Sequence, residues 1–549
     1  MKVIVYQIFT RLFGNGNATR RKNGTLEQNG AAKMNGITDA VLQRVRRLGA
    51  THVWLTGIIR HASTTDYTAH GIPSQHPAIV KGLAGSPYAI TDYYDIDPDI
   101  ATDVDHRMAE FEALVGRAHA AGLKVIIDFV PNHVARQYHS VAKPDGVVDL
   151  GELDNTDMHF STLNDFYYCW GQPFVQPVES DEPYIEQPAK ATGNDCFHCR
   201  PGRNDWYETV KINYGIDYCD AGGRSEHFSP LPVAWDKMTD ILLFWAAKGI
   251  DGFRCDMAEM VPTAFWAWAI DKVKFRYPDK VFIAEVYNPS QYRNYIGAGF
   301  DYLYDKVGMY DCVRDVICGR RQARDITGCW QATDDIWSHM LYFLENHDEQ
   351  RIASDFFAGD ARRGVPGLVV LALMRQNPFM LYFGQELGER GMDEEGLSGR
   401  DGRTTIFDYW SVTSVQHAYF DRRRMTRQER DLEKVYATVL NIATTYKAVT
   451  EGDFYDLMYV NPQLPSTAYA FLRKKDDELL LVIANFASEA ADCPVIIPRH
   501  AFEWLHIGEG AHEACDLLGT DKTVLTLRAD TEMNLTVPPL LARAYIIKV

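Results

Sequence analysis

Arg254 and Asp256 stand two residues apart in the stretch DGFRCDMAEM, residues 251–260. In a strand, residues i and i+2 point to the same side, so a guanidinium and a carboxylate face one small volume. A buried carboxylate is costly unless paired, and an isolated R-x-D reads as a structural ion pair. Three other apolar runs end in comparable chemistry, however. DFVPNH carries Asp128, Asn132 and His133; FIAEVY carries Glu285; FLENHDEQR carries His347 and Asp348. Core packing does not explain four runs that each deliver Asp, Glu, His or Arg.

Carboxylates with an arginine and no metal-binding cluster suit glycoside hydrolysis. Retention of configuration needs one carboxylate as nucleophile and a second as proton donor, roughly 5–5.5 Å apart. The donor must keep a proton near neutral pH, through burial and neighbouring negative charge. The nucleophile must stay ionised, and Arg254 on the same strand face favours that for Asp256. Glu285 has no charged residue within three positions on its own strand, which makes it the better acid. Asp348 is left to steady the developing oxocarbenium charge.

These residues need strands to present them. Eight apolar runs alternate with helical or irregular sequence: residues 3–9, 51–57, 124–130, 249–256, 281–287, 300–305, 340–348 and 378–384. Between the first two, Val41, Val45 and Leu48 recur at i, i+4, i+7 before Gly49; ahead of the third, Phe111, Leu114, Val115 and Ala118 recur at i, i+3, i+4, i+7 before Gly122. Alternating strands and helices imply a parallel sheet, and eight units suggest an α/β chain folded as a closed (β/α)8 TIM barrel. A doubly wound open sheet would want a G-x-G-x-x-G turn after an early strand, and none occurs there. In such a barrel the C-terminal strand ends line one mouth, where polar residues read as catalytic. The rhythm breaks after the third strand, in a stretch rich in Asp, Asn, Gly, Pro and aromatics. The expected organisation is a barrel over residues 1–133 and 236–450, an irregular insertion domain over 134–235, and a C-terminal β-sandwich over 451–549, where STAYAFLRK, ELLLVIANFA and CPVIIP read as short strands.

Bulk properties narrow the field. The 549 residues allow two to four domains, and 46% hydrophobic with 24% charged content is ordinary for a globular protein. A net charge of −18 supplies no basic surface for nucleic acid or anionic membranes. No run approaches the roughly 18–20 apolar residues that span a bilayer. The N-terminal MKVIVYQIFTRLFG reads as a first strand rather than an export signal. With ten cysteines and no such signal, reduced thiols in a cytoplasmic protein are expected.

Four segments in order, DFVPNH, GFRCDMA, AEV and ENHD, resemble the conserved regions of glycoside hydrolase family 13, the α-amylase family. The barrel, the insertion and the C-terminal β-domain extend the resemblance over essentially the whole chain. It implies Asp256 as nucleophile, Glu285 as acid/base and Asp348 as transition-state stabiliser, with Arg254, His133 and His347 binding the sugar at the cleavage subsite. SPYAITDYYDIDP resembles a family segment in which Tyr88 stacks under that sugar and Asp92 is its structural neighbour. GRDGRTTIFDYW resembles a loop whose Arg403 contacts donor-side sugars. Asn132 matches a residue that ligates calcium in many members, so the resemblance raises calcium there and no organic cofactor. Starch-degrading members often have Lys-His shortly after the nucleophile; here those positions are Glu259 and Met260. The implied activity is retaining hydrolysis of α-1,4-glucan or maltooligosaccharides. A transglycosylase or a sucrose- or trehalose-converting enzyme would use the same machinery. A non-catalytic sugar-binding barrel would be expected to have lost a carboxylate, and all three are present.

Other signals are set aside. CFHC (196–199), with Cys169 and Cys219, lacks the second C-x-x-C of a zinc site and reads as free thiols. DIDPD (95–99) lacks the glycine and closing glutamate of a calcium loop and reads as a solvated turn. RRRMTRQER (422–430) reads as an exposed helix face.

Overall fold

The structure, a computed structural model, describes residues 2–397, 399–519 and 521–549. All eight apolar runs become strands: β1 (Ile4–Phe9), β2 (His52–Thr56), β3 (Lys124–Phe129), β4 (Gly252–Cys255), β5 (Val281–Ala284), β6 (Tyr302–Tyr304), β7 (Met340–Phe343) and β8 (Phe379–Tyr382). They close into one barrel in which every neighbouring pair is parallel and β8 returns to β1. Closure rules out the open doubly wound sheet.

Period-two alternation divides each strand between the lumen and the helical shell. Val5, Trp54, Ile126, Ile283, Tyr304, Leu341, Phe343 and Met380 form a small internal cluster. Their strand neighbours Ile127, Phe129, Phe253, Cys255 and Phe282 belong to the large outer core. Helix Asp39–Leu48 shows how the outer layer is built. Thr38 caps its start by accepting from the Val41 backbone, Val41, Val45 and Leu48 are buried, and Gly49 ends it at φ +113°.

Strand register places the chemistry. Arg254 pairs directly with Asp128 of β3 on one side and Ile283 of β5 on the other. Asp256 follows Arg254 on the same face, and Glu285 comes two residues after Ile283. Gly252 permits the close approach of β4 to β5, since an added Cβ would lie 2.5 Å from the Val281 carbonyl oxygen.

After β3 the chain enters an irregular excursion, opened by His133–Ala135 pairing antiparallel with Thr209–Lys211. Its own small core gathers Ile79, Cys169, Phe174, Ala189, Cys199 and Tyr207. Arg136 is buried there, 2.6 Å from Glu186 and over the Phe174 ring. Near the C-terminus, Asp453–Asp456, Ala468–Lys475, Glu478–Asn485, Leu541–Lys548, Gly510–Asp516 and Lys522–Leu527 form a six-stranded sheet in that order, and Ala491–Ile496 pairs with Glu532–Val537 in a separate two-stranded sheet.

One expectation is overturned. DIDPD is buried structure rather than a solvated turn: Asp95 pairs with Arg107 at 2.6 Å, Asp97 with His61 at 2.9 Å, and Asp99 accepts the Tyr67 and Tyr409 hydroxyls. The hairpin of Ile59–His61 with Ile90–Ile96 carries this cluster.

Candidate active site

Arg254 is the centre of the barrel mouth. It is fully buried, and the rings of Trp54, Tyr88 and Tyr304 each lie 5.2–5.6 Å from its guanidinium carbon. Nη1 donates to Asp256 Oδ1 at 2.8 Å and, less closely, to Asp128 Oδ1 at 3.4 Å. Nη2 lies 2.8 Å from Glu285 Oε2, and Nε donates to the Tyr304 hydroxyl at 3.2 Å. A planar guanidinium whose two terminal nitrogens meet two carboxylates holds those carboxylates a few ångströms apart. Retaining chemistry needs two carboxylates on one small volume of this kind, and Arg254 gathers Asp256 and Glu285 there.

Glu285 is not as free of charged neighbours as its own strand suggests. No charge lies near it along β5, but the fold brings Arg254 across from β4. Proximity to the guanidinium does not separate the two carboxylates. Hydrogen bonding does: Arg254 makes an aligned bond to Asp256, whereas its approach to Glu285 is an ion pair only. Glu285 instead accepts from the Met257 backbone at 2.8 Å and from the Tyr287 hydroxyl.

Three carboxyls, of Asp128, Asp256 and Glu285, share this cation, and Asp348 feels its charge together with that of Arg403. Burial lifts Asp256 well above the usual carboxylate range, against the pull of Arg254 and with the charges of Glu285, Asp128 and Asp348 adding. Burial likewise pushes Asp128 up to about 7, and desolvation with the Glu285 charge pushes Asp348 up to about 7. Burial and mutual repulsion thus hold Asp128, Asp256 and Asp348 toward the protonated form, so Arg254 alone does not keep Asp256 in the ionised state expected from the sequence.

The rest of the mouth is positioned from three sides. His347 stacks on Tyr88 with ring centroids 5.3 Å apart, and its Nε2 lies 3.1 Å from Asp348 Oδ2. Gln7 Nε2, inside β1, meets His347 Nδ1 at 2.9 Å, and burial with Arg254 holds this histidine well below its ordinary pKa. Neutral His347 is thus an oriented hydrogen-bonding group. Asn346 fixes Asp348 by accepting its backbone N–H at 2.9 Å. Arg403 Nε donates to the Asp348 carbonyl at 2.6 Å. Its loop is tied down by Arg351, which bonds Gly402, Thr404 and Glu345. Asp92 lies beneath the rim on Arg60 and Ser140. Glu259 accepts the Tyr287 and Asn288 N–H groups and so positions the loop after β5.

His133 is buried against Trp206, with ring centroids 5.2 Å apart, and burial followed by the charge of Lys211 pushes it down to about 3. Asn132 does not fit a calcium ligand. Its Oδ1 accepts from Lys211 Nζ at 2.7 Å, and its Nδ2 donates to the Gly193 carbonyl at 2.7 Å. Among the described residues, no group of three or more His, Cys, Asp and Glu side chains is disposed to hold a metal, and all ten cysteines are free thiols.

The catalytic-domain profile of the alpha-amylase family matches residues 7–292, more than half of the chain. The chain belongs to the alpha-amylase family. It is 26% identical over 495 residues to alpha-amylase MalA of Haloarcula japonica, covering 88% of this chain and 55% of that longer protein. It is 23% identical over 501 residues to alpha-amylase 3 of Dictyoglomus thermophilum, covering 88% and 84%. The fold is similar to that of an alpha-amylase from Geobacillus thermoleovorans solved with acarbose, with a TM-score of 0.66 at 18% identity over 100% of this chain and 98% of the other. Among the described residues, no helix is long and apolar enough to cross a membrane.

Five of the site's supports lie outside the four ordered sequence motifs: Gln7, Trp54, Tyr287, Tyr304 and Lys211. Gln7 had a signal, because it is the one polar residue within the apolar run of β1 and points into the lumen. Trp54 and Tyr304 look like ordinary strand hydrophobes until the barrel closes around Arg254.

Buried carboxyls also set a pH dependence for the fold. Burial pushes Asp128, Glu345 and Glu386 each up to about 7. The native state then binds more protons than the unfolded chain between about pH 4 and 7, so this contribution is present at low pH and lost as pH rises through 7. His52 and His133, held down to about 4 and about 3, act oppositely, but only below the ordinary histidine range. Calorimetry should therefore give a lower Tm at about pH 8.5 than at about pH 6.5; a Tm that rises over that interval contradicts the assignment.

Proposed function

We propose that this chain is a retaining α-glycoside hydrolase acting on α-1,4-glucan or maltooligosaccharides. The observation that carries the proposal is the single buried guanidinium held 2.8 Å from both Asp256 and Glu285 at the barrel mouth. Glu285 protonates the bridging oxygen and Asp256 attacks the anomeric carbon, giving a covalent glycosyl-enzyme. Glu285 then takes a proton from water, which releases the sugar. Asp348 stabilises the developing positive charge. Tyr88 stacks against the reacting ring, His133, His347 and Arg254 bond its hydroxyls, and Arg403 serves the donor side of the cleft.

Family membership alone does not fix activity. The intact carboxylate set supports an enzyme over a binding barrel. A cytoplasmic setting, supported by ten unpaired thiols, and an exclusively carbohydrate partner are parts of the same proposal. The test is product analysis with maltooligosaccharides of defined length. Exclusively shorter products released as the α-anomer are expected. Longer products would transfer the assignment to transglycosylation, and inverted products or none would refute it.

A further inference from the structure

Lys211 lies on the strand of the insertion that pairs with His133–Ala135 just after β3, and its side chain is 2% exposed. An ammonium has three donors, and three oxygens from three parts of the chain meet this one: Asn132 Oδ1 at 2.7 Å, Asp195 Oδ1 at 2.5 Å and the Met260 carbonyl at 3.5 Å. The Tyr218 ring adds a face 5.4 Å from Nζ. Asn132 follows β3, Met260 follows β4, and Asp195 comes from the insertion. Asp195 is held at φ +63°, in a turn where Thr192 accepts its N–H. Gly193 in the same turn accepts from Asn132, and an added Cβ there would lie 2.8 Å from His133 Cβ. The turn is thus pressed directly onto the histidine of the cleavage subsite.

A calcium ion at this junction would need about six to eight oxygens at about 2.3–2.6 Å. Here the oxygens surround a nitrogen that already carries the positive charge, and a divalent ion entering among them would meet that charge at contact distance. We propose that the ammonium of Lys211 is a built-in cation that pins the insertion to the barrel and replaces the calcium ion the resemblance implied at Asn132. It acts by position, keeping the wall that carries His133 in register with the mouth. The inference stands on the junction alone and does not rest on the proposed substrate.

The full-length protein should show the same Tm after exhaustive dialysis against EDTA as in millimolar calcium chloride, with no heat of binding when calcium is titrated in. Lys211→Met keeps the stem but leaves Asp195 and Asn132 facing each other without a cation. Its Tm should fall by several degrees, its insertion should be cleaved faster in limited proteolysis, and Lys211→Arg should recover part of both. A wild-type Tm that drops on chelation and returns with calcium would overturn the proposal, as would a Lys211→Met variant that melts like the wild type. Should Lys211→Met not fold, the chelation experiment on the wild type decides alone.

Discussion

Asp256→Asn is expected to abolish turnover, lowering kcat by at least about 10^4-fold, while oligosaccharide binding remains measurable by titration calorimetry. In the proposed mechanism the substitution removes the nucleophile and little else. The amide keeps an oxygen for Arg254 Nη1, and the backbone bond from residue 256 to the Phe129 carbonyl at 2.9 Å is untouched. The cleft and its sugar-binding groups persist, but an amide oxygen cannot form the glycosyl ester on which the reaction depends. Hydrolysis at a substantial fraction of the wild-type rate would remove Asp256 from that role.

Arg254→Met should be the most damaging change for stability and chemistry together. The guanidinium is the cation facing Asp128, Asp256 and Glu285. Removing one partner of a buried ionic group strands the others, at about 3–5 kcal/mol, which denaturant unfolding would register. Activity should fall by about 10^3-fold or more. A purely structural role predicts loss of folded protein without a change in the pH profile of what remains. The electrostatic role predicts that the acidic limb of kcat/KM moves to higher pH, because a carboxylate deprived of its cation holds its proton more tightly. Arg254→Lys should show the same displacement, since a point charge cannot meet two carboxylates along a planar fork. An unshifted acidic limb would contradict the account.

Much of this site was legible in the sequence because barrel strands are short, apolar and strictly alternating. A charged residue at the end of such a run has one place to go, so Asp128, Arg254, Asp256, Glu285, His347 and Asp348 announced themselves. What the sequence concealed are contacts between segments distant along the chain. Nothing along β5 reveals that Arg254 reaches Glu285; the parallel register of β4 and β5 does that. Lys211 and Asp195 belong to an insertion without periodicity, so neither could be matched to Asn132 over sequence separations of 79 and 63. The DIDPD segment misled for a related reason. Three aspartates in five residues look solvated, yet Arg107, His61, Tyr67 and Tyr409 converge on them from elsewhere and make burial tolerable.

The most direct test of the central claim is to catch the covalent intermediate. In Glu285→Gln enzyme given α-glucosyl fluoride, the first step needs no acid because fluoride departs unprotonated, whereas the second step lacks its base. Intact-mass spectrometry should show the protein heavier by one glucosyl unit, and digestion should locate that unit on the peptide carrying Asp256. Absence of an adduct, or an adduct on any other carboxylate, would contradict the mechanism.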